Sequence, residues 1–189
     1  MRRFIPRAAL LALPAAFLLA AALPASLTPS ARQALDDATI VAIFDAANTA
    51  DIETGSLAAK RAQAKDVRDY GAMIAHDHQA VRQLGRDLAK KLGVTPTPPA
   101  GDAGAKAHAE AMATLRAKRG AEFDRAFLRH EVAFHQGVID AIQTTLLPAI
   151  QNEELKALVL KVAPAFQAHM LAAQRLEQRL GEAQRAGTR

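Results

Sequence analysis

Six ionisable side chains of this sequence interrupt otherwise apolar stripes, and their types are those of a metal site. On a helical wheel of about 100° per residue, Glu131 falls between Phe127, Phe134 and Val138, with His135 one turn further along the same arc. His169 lies in the line of Val162, Phe166, Ala173 and Leu176. Asp77 and His78 straddle a stripe bounded by Ile74 and Val81, and Asp51 sits between Ala47 and Ala58 on the Phe44 face. Imidazoles and carboxylates aimed inward from several helices are how helical bundles build metal centres. A donor set of His, Asp and Glu without thiolate suits Zn, Fe, Mn or Cu. The expected ligands are Asp51, His78, Glu131, His135 and His169, with Asp77 supporting them from outside. The alternative is a metal-free network in which His–carboxylate pairs satisfy one another and fix helix register. His76, His108 and His130 fall off the stripes and are expected in solvent.

The elements that must position these groups read as helices. Apolar residues recur at threes and fours over residues 37–63, 66–92, 121–146 and 153–180, and an Ala-rich stretch over 102–119 predicts a shorter helix. Gly93 before VTPTPPAG, Gly120 and Pro148 are stop signals, and Pro164 should bend the last helix. Gly55 in mid-helix predicts a close approach by a neighbour. No strand pattern and no Gly-rich phosphate loop occur. The expected fold is all-α: an antiparallel four-helix bundle with an extra short helix between the second and third long helices. Rises of about 1.5 Å per residue put Asp51 and His78 each ~20 Å from a turn near Lys65, and Glu131, His135 and His169 roughly 22–28 Å from a turn near Ile150. In an antiparallel bundle the two sets meet in one layer.

Composition narrows the function. The chain of 189 residues has no Cys, which removes disulfides, zinc–thiolate sites, Fe–S clusters and thiol catalysis. Of 24 Lys and Arg, Arg2, Arg3 and Arg7 lie in the first seven residues, leaving 21 against 19 acids. No basic stripe interleaved with aromatics accompanies them, so nucleic acid is not an expected partner. The basic start, the apolar run AALLALPAAFLLAAAL and the following Pro-Ala-Ser resemble a secretory signal peptide, cleaved after Ala25 or Ala22 or retained as an anchor. Both readings export the domain, and a periplasmic location is expected, with no stable membrane span if the leader is cleaved. The expected organisation is a signal peptide over 1–25, a linker over 26–35, the bundle over 36–182 and a disordered tail over 183–189.

The stretches AANTADIETGSLAAKRAQAKDVRDYGAMIAHDHQAV, GAEFDRAFLRHEVAFHQGVID and PAFQAHMLAAQRL are similar to the bacterial DUF4142 family. Asp77-His78, Phe123-Asp124, His135 and Pro164 with His169 carry the resemblance. It implies an exported, ferritin-like helical bundle, with no established enzyme activity or cofactor. Met73 and His76-Asp77-His78 bear a looser likeness to DUF305. Ferritin-like di-iron sites use Glu-x-x-His pairs, whereas the pair here is Glu131-x-x-x-His135, richer in His and poorer in carboxylate. Three functions follow in order: a metal-binding or metal-buffering module; a non-catalytic structural or envelope-stress interaction protein with a metal-free network; and a di-metal oxidase. No Ser/His/Asp arrangement suggests a nucleophilic enzyme.

Overall fold

The computed structural model describes residues 35–101 and 103–187. The leader expected over 1–25, and the linker up to residue 34, lie outside the described residues. The described chain is all-helical, with five helices and no strand. These are α1 (Asp37–Arg61), α2 (Lys65–Leu92), α3 (Ala103–Ala117), α4 (Gly120–Ala141) and α6 (Glu153–Gly187), with a three-residue turn, α5 (Leu147–Ala149), between the last two. Among the described residues no helix is long and apolar enough to cross a membrane.

Local chemistry sets most boundaries. Asp36 caps α1 by accepting from the Thr39 amide at 2.7 Å. Gly93, at φ 66°, closes α2 in the left-handed conformation that glycine adopts without strain. Two boundaries depart from the expectation by more than two residues. The α-helix of α4 ends at Ala141 and gives way to a π turn, Ile142–Leu146, before Pro148, which has no amide hydrogen to continue the ladder. Helix α6 continues to Gly187, past the expected end at Leu180 and into the expected tail.

The helices pack as two hairpins: α1 against α2, and α4 against α6. The hairpins meet through α1 with α4 and α2 with α6, and α3 lies across α1 and α4. Gly55 and Gly71 make the first hairpin tight. A Cβ on Gly55 would stand 2.7 Å from the Gly71 carbonyl oxygen, and one on Gly71 would stand 2.7 Å from the Gly55 oxygen. Each hairpin turn is capped by a carboxylate of the other hairpin. Buried Asp124 of α4 accepts the Gln63 and Ala64 amides, each at 2.8 Å. Asp37 of α1 accepts the Gln151 and Asn152 amides, each at 2.9 Å. These reciprocal caps fix the depth of one hairpin relative to the other.

The core is split. One apolar cluster holds Ile40, Phe44, Ile142, Leu155, Val159 and Phe166, and the other Val67, Tyr70, Ile74, Phe123, Phe127 and Leu176. Between them lies a layer of buried polar groups drawn from α1, α2, α4 and α6: Asn48, Asp51, Thr54, His78, Glu131, His135 and His169.

Candidate metal centre

All five expected ligands fall in this layer, and the structure brings them together. Asp51 Oδ2 is 3.0 Å from His78 Nε2 and 3.5 Å from His135 Nε2. His78 Nε2 is 3.3 Å from His169 Nδ1. One nitrogen each from His78, His135 and His169 lies within 4.8 Å of the other two, and the same holds for ligand atoms of Asp51, Glu131 and His135.

The hydrogen bonds behind the rings determine which nitrogen of each faces this space. Asn48 Nδ2 donates to the Phe44 carbonyl at 2.8 Å, which turns its Oδ1 toward His78 Nδ1 at 2.9 Å. An amide oxygen only accepts, so Nδ1 carries the hydrogen and Nε2 of neutral His78 is a bare lone pair. His135 Nδ1 donates to the Glu131 backbone oxygen at 2.9 Å, so its Nε2 is also bare. His169 Nε2 donates to Asp77 Oδ2 at 3.1 Å, so its Nδ1 is bare. Three lone pairs thus converge, each oriented by an outer partner, the arrangement that metal-ligating histidines have. Tyr70 OH adds a bond to the His169 carbonyl at 3.1 Å, which anchors that turn of α6.

The carboxylates are equally unsatisfied. Both oxygens of Asp51, Glu131 Oε2 and His135 Nε2 are buried without a hydrogen-bond partner. The 3.0 Å between Asp51 and His78 is therefore proximity rather than a hydrogen bond. Glu131 Oε1 alone is satisfied, by Thr54 Oγ1 at 3.1 Å. Orphaned buried polar groups cost roughly 1–3 kcal/mol each, more when charged, unless a proton or cation binds them.

Protonation follows burial. Burial, then the Glu131 charge, drives the Asp51 carboxyl well above the usual carboxylate range. Burial pushes Glu131 up to about 8, against the hydrogen bond from Thr54. Burial and the neighbouring imidazoles take His78 down to about 3. His135 falls to about 4, again chiefly by burial, and burial lowers His169 despite its bond to Asp77. The layer in its metal-free form holds neutral imidazoles and protonated acids. A divalent cation bound here would exchange those protons for metal–ligand bonds, and the donor set of three nitrogens and carboxylate oxygens would suit Zn, Fe, Mn or Cu.

Sequence reasoning missed several supporting groups. Asn48, which sets the His78 tautomer, stands one turn before Asp51 on the same face, and that spacing was its only signal. Thr54 signalled itself as a polar member of the α1 stripe. His76 is exposed as expected, but His108 and His130 are not simply solvated. His108 Nε2 pairs with Glu53 Oε2 at 2.8 Å, and half-buried His130 is lowered to about 4 by burial and by His108. Helix α3, which carries His108, packs against α1 and α4 there.

No curated protein and no solved structure matches the chain. A family model described as a domain of unknown function, DUF4142, matches residues 22–176, so the chain belongs to the DUF4142 family.

Proposed function

We propose that this protein is an exported metal-binding module, a ferritin-like four-helix bundle of α1, α2, α4 and α6 with α3 as an extra helix. His78, His135 and His169 bind one divalent transition metal with Asp51, and Glu131 completes or balances its charge. The leader-like start supports export to the periplasm. The observation that carries the reading is the tautomer set: three bare imidazole nitrogens beside an unpartnered buried carboxylate. When bound, the metal supplies a fixed positive charge to this layer. The protein's own groups orient the rings, exclude water and hold the exchangeable protons.

The test is elemental analysis of the full chain, purified without a histidine tag or chelator, beside a His78→Ala/His169→Ala variant. Near-stoichiometric metal in the wild type and none in the variant is expected. No metal in either, even after incubation with Zn, Mn, Fe and Cu, would sink the proposal. A second reading, a structural protein of the envelope with a metal-free network, draws on the bonds of Asn48 to His78, His169 to Asp77 and Thr54 to Glu131. Under it, His169→Ala lowers stability by about 1–3 kcal/mol and changes no metal content.

A further inference from the structure

We infer that the cation reaches the buried centre between α2 and α6, with Asp77 as its docking carboxylate and His169 as the ligand that carries it inward. This inference rests on the metal-binding reading. Its support is a gradient of exposure along a single contiguous series of polar groups. The Asp77 side chain is 43% exposed and His169 9%, whereas His78 is at 2% and Asp51, Glu131 and His135 at 0%. The steps are short: 3.1 Å from Asp77 to His169, 3.3 Å to His78, and 3.0 Å to Asp51.

Aromatic rings cover part of the remaining surface of the layer. Phe166 packs on the rings of His78 and His135 at centroid distances of 5.2 and 6.0 Å, and Phe134 covers His135 at 5.9 Å. Below the layer, Tyr70 and Phe127 sit together in the second apolar cluster. At the Asp77 side the neighbours of His169 on α6 are short: Ala165 and Ala168 are exposed and Ala172 is half-buried. Tyr70 holds the His169 carbonyl, which keeps this turn of α6 in place.

The series also explains why Asp77 lies outside the layer. A hydrated cation needs a charged oxygen at the surface to begin losing water, and an exposed carboxylate provides one. A final ligand strengthens the bound state. A transient ligand stabilises the crossing instead, and so speeds capture and release alike.

Stopped-flow uptake of Co²⁺ by the full chain, followed by visible absorbance, tests this, with release measured by a chelator. Asp77→Asn should slow uptake by roughly tenfold or more, within the range that a charge lining an entrance contributes. Release should slow with it, so that affinity changes less than either rate. Added salt should slow the wild type and affect Asp77→Asn little. Glu53→Gln removes an equal charge beneath α3 and should leave both rates as in the wild type. Normal uptake with faster release in Asp77→Asn would overturn the inference, because Asp77 would then only orient His169. Equal slowing by Glu53→Gln would overturn it too, by making the effect one of overall charge. A wild type that takes up no Co²⁺ removes the metal reading and the route together, an outcome separate from either of these.

Discussion

Asp51 Oδ2 lies 3.0 Å from His78 Nε2, yet the ring donates nothing to it, because His78 carries its hydrogen on the far side, toward Asn48. Two electron-rich atoms face each other in a place water does not reach. A proton on Asp51 relieves this, and burial raises the Asp51 pKa accordingly. A metal ion bound as proposed would relieve it as well, and would also satisfy His135 and His169. On the metal-binding reading, proton and metal compete for one space, and the behaviour of this centre follows from that.

The tautomer of His78 depends on a single amide. Asn48→Leu keeps the branching at Cγ and removes the acceptor for Nδ1–H, so the ring is free to flip or change tautomer. Metal affinity is expected to fall roughly 10–100-fold, the usual effect of removing a partner that orients a ligand. A competition titration against a chromophoric chelator measures it. Unchanged affinity would mean that Asn48 does not set the ring.

Metal binding should release protons. At pH 7 the Glu131 carboxyl, with a pKa of about 8, is mostly protonated, and Asp51 is shifted the same way. Binding as carboxylates requires their protons to leave, so apparent affinity should rise with pH between about 6 and 8. Calorimetric titration in two buffers of different ionisation enthalpy counts the protons. A count near zero would show that neither acid ionises on binding.

The metal-free chain should be least stable at both extremes of pH, for opposite reasons. His78 and His135 titrate at about 3 and 4 in the fold against 6.5 when free. Their stabilising contribution is whole above 6.5 and is lost as pH falls toward 3, because only the unfolded chain binds those protons. Glu131, at about 8 against 4.5, behaves inversely: its contribution is whole below 4.5 and is lost as pH rises through 8. Urea midpoints of chelator-treated protein should therefore drop between about pH 6.5, above which the imidazoles no longer oppose the loss, and about pH 8, then level off, and Glu131→Gln should flatten that limb. Parallel curves for wild type and variant would show that Glu131 ionises normally.

Much of this was legible in the sequence because polar residues on apolar stripes are conspicuous. Asp51, His78, Glu131, His135 and His169 each broke a period that Phe44, Ile74, Phe127 and Phe166 had established. The end of α2 at Gly93 carried its own capping chemistry. The illegible parts were relations between distant segments. Asp124 looks like a first-turn acid of α4 until the α1–α2 turn is seen against it, 60 residues away. His130 lies off its stripe and is half-buried nonetheless. Asn48 did not register as a ring-orienting group, since its role exists only once α1 and α2 are side by side.

That side-by-side placement depends on two glycines, which yields a graded test. A methyl on Gly55 would meet the Gly71 oxygen at 2.7 Å, and backbone cannot step aside, so α1 must move from α2. Gly55→Ala should destabilise by about 1–3 kcal/mol, the usual effect of overpacking, and loosen the Asp51–His78 pair with it. At Gly85 the obstacle at 2.7 Å is the edge of the Phe44 ring, which can rotate, so Gly85→Ala should be milder. At Gly137 in α4 nothing lies within 4 Å. There alanine should stabilise by about 0.5–1 kcal/mol, its ordinary advantage over glycine inside a helix. Chemical denaturation of the three variants gives the order. If Gly55→Ala proved as harmless as Gly137→Ala, the close approach of α1 and α2 would not be what holds the two halves of the centre together.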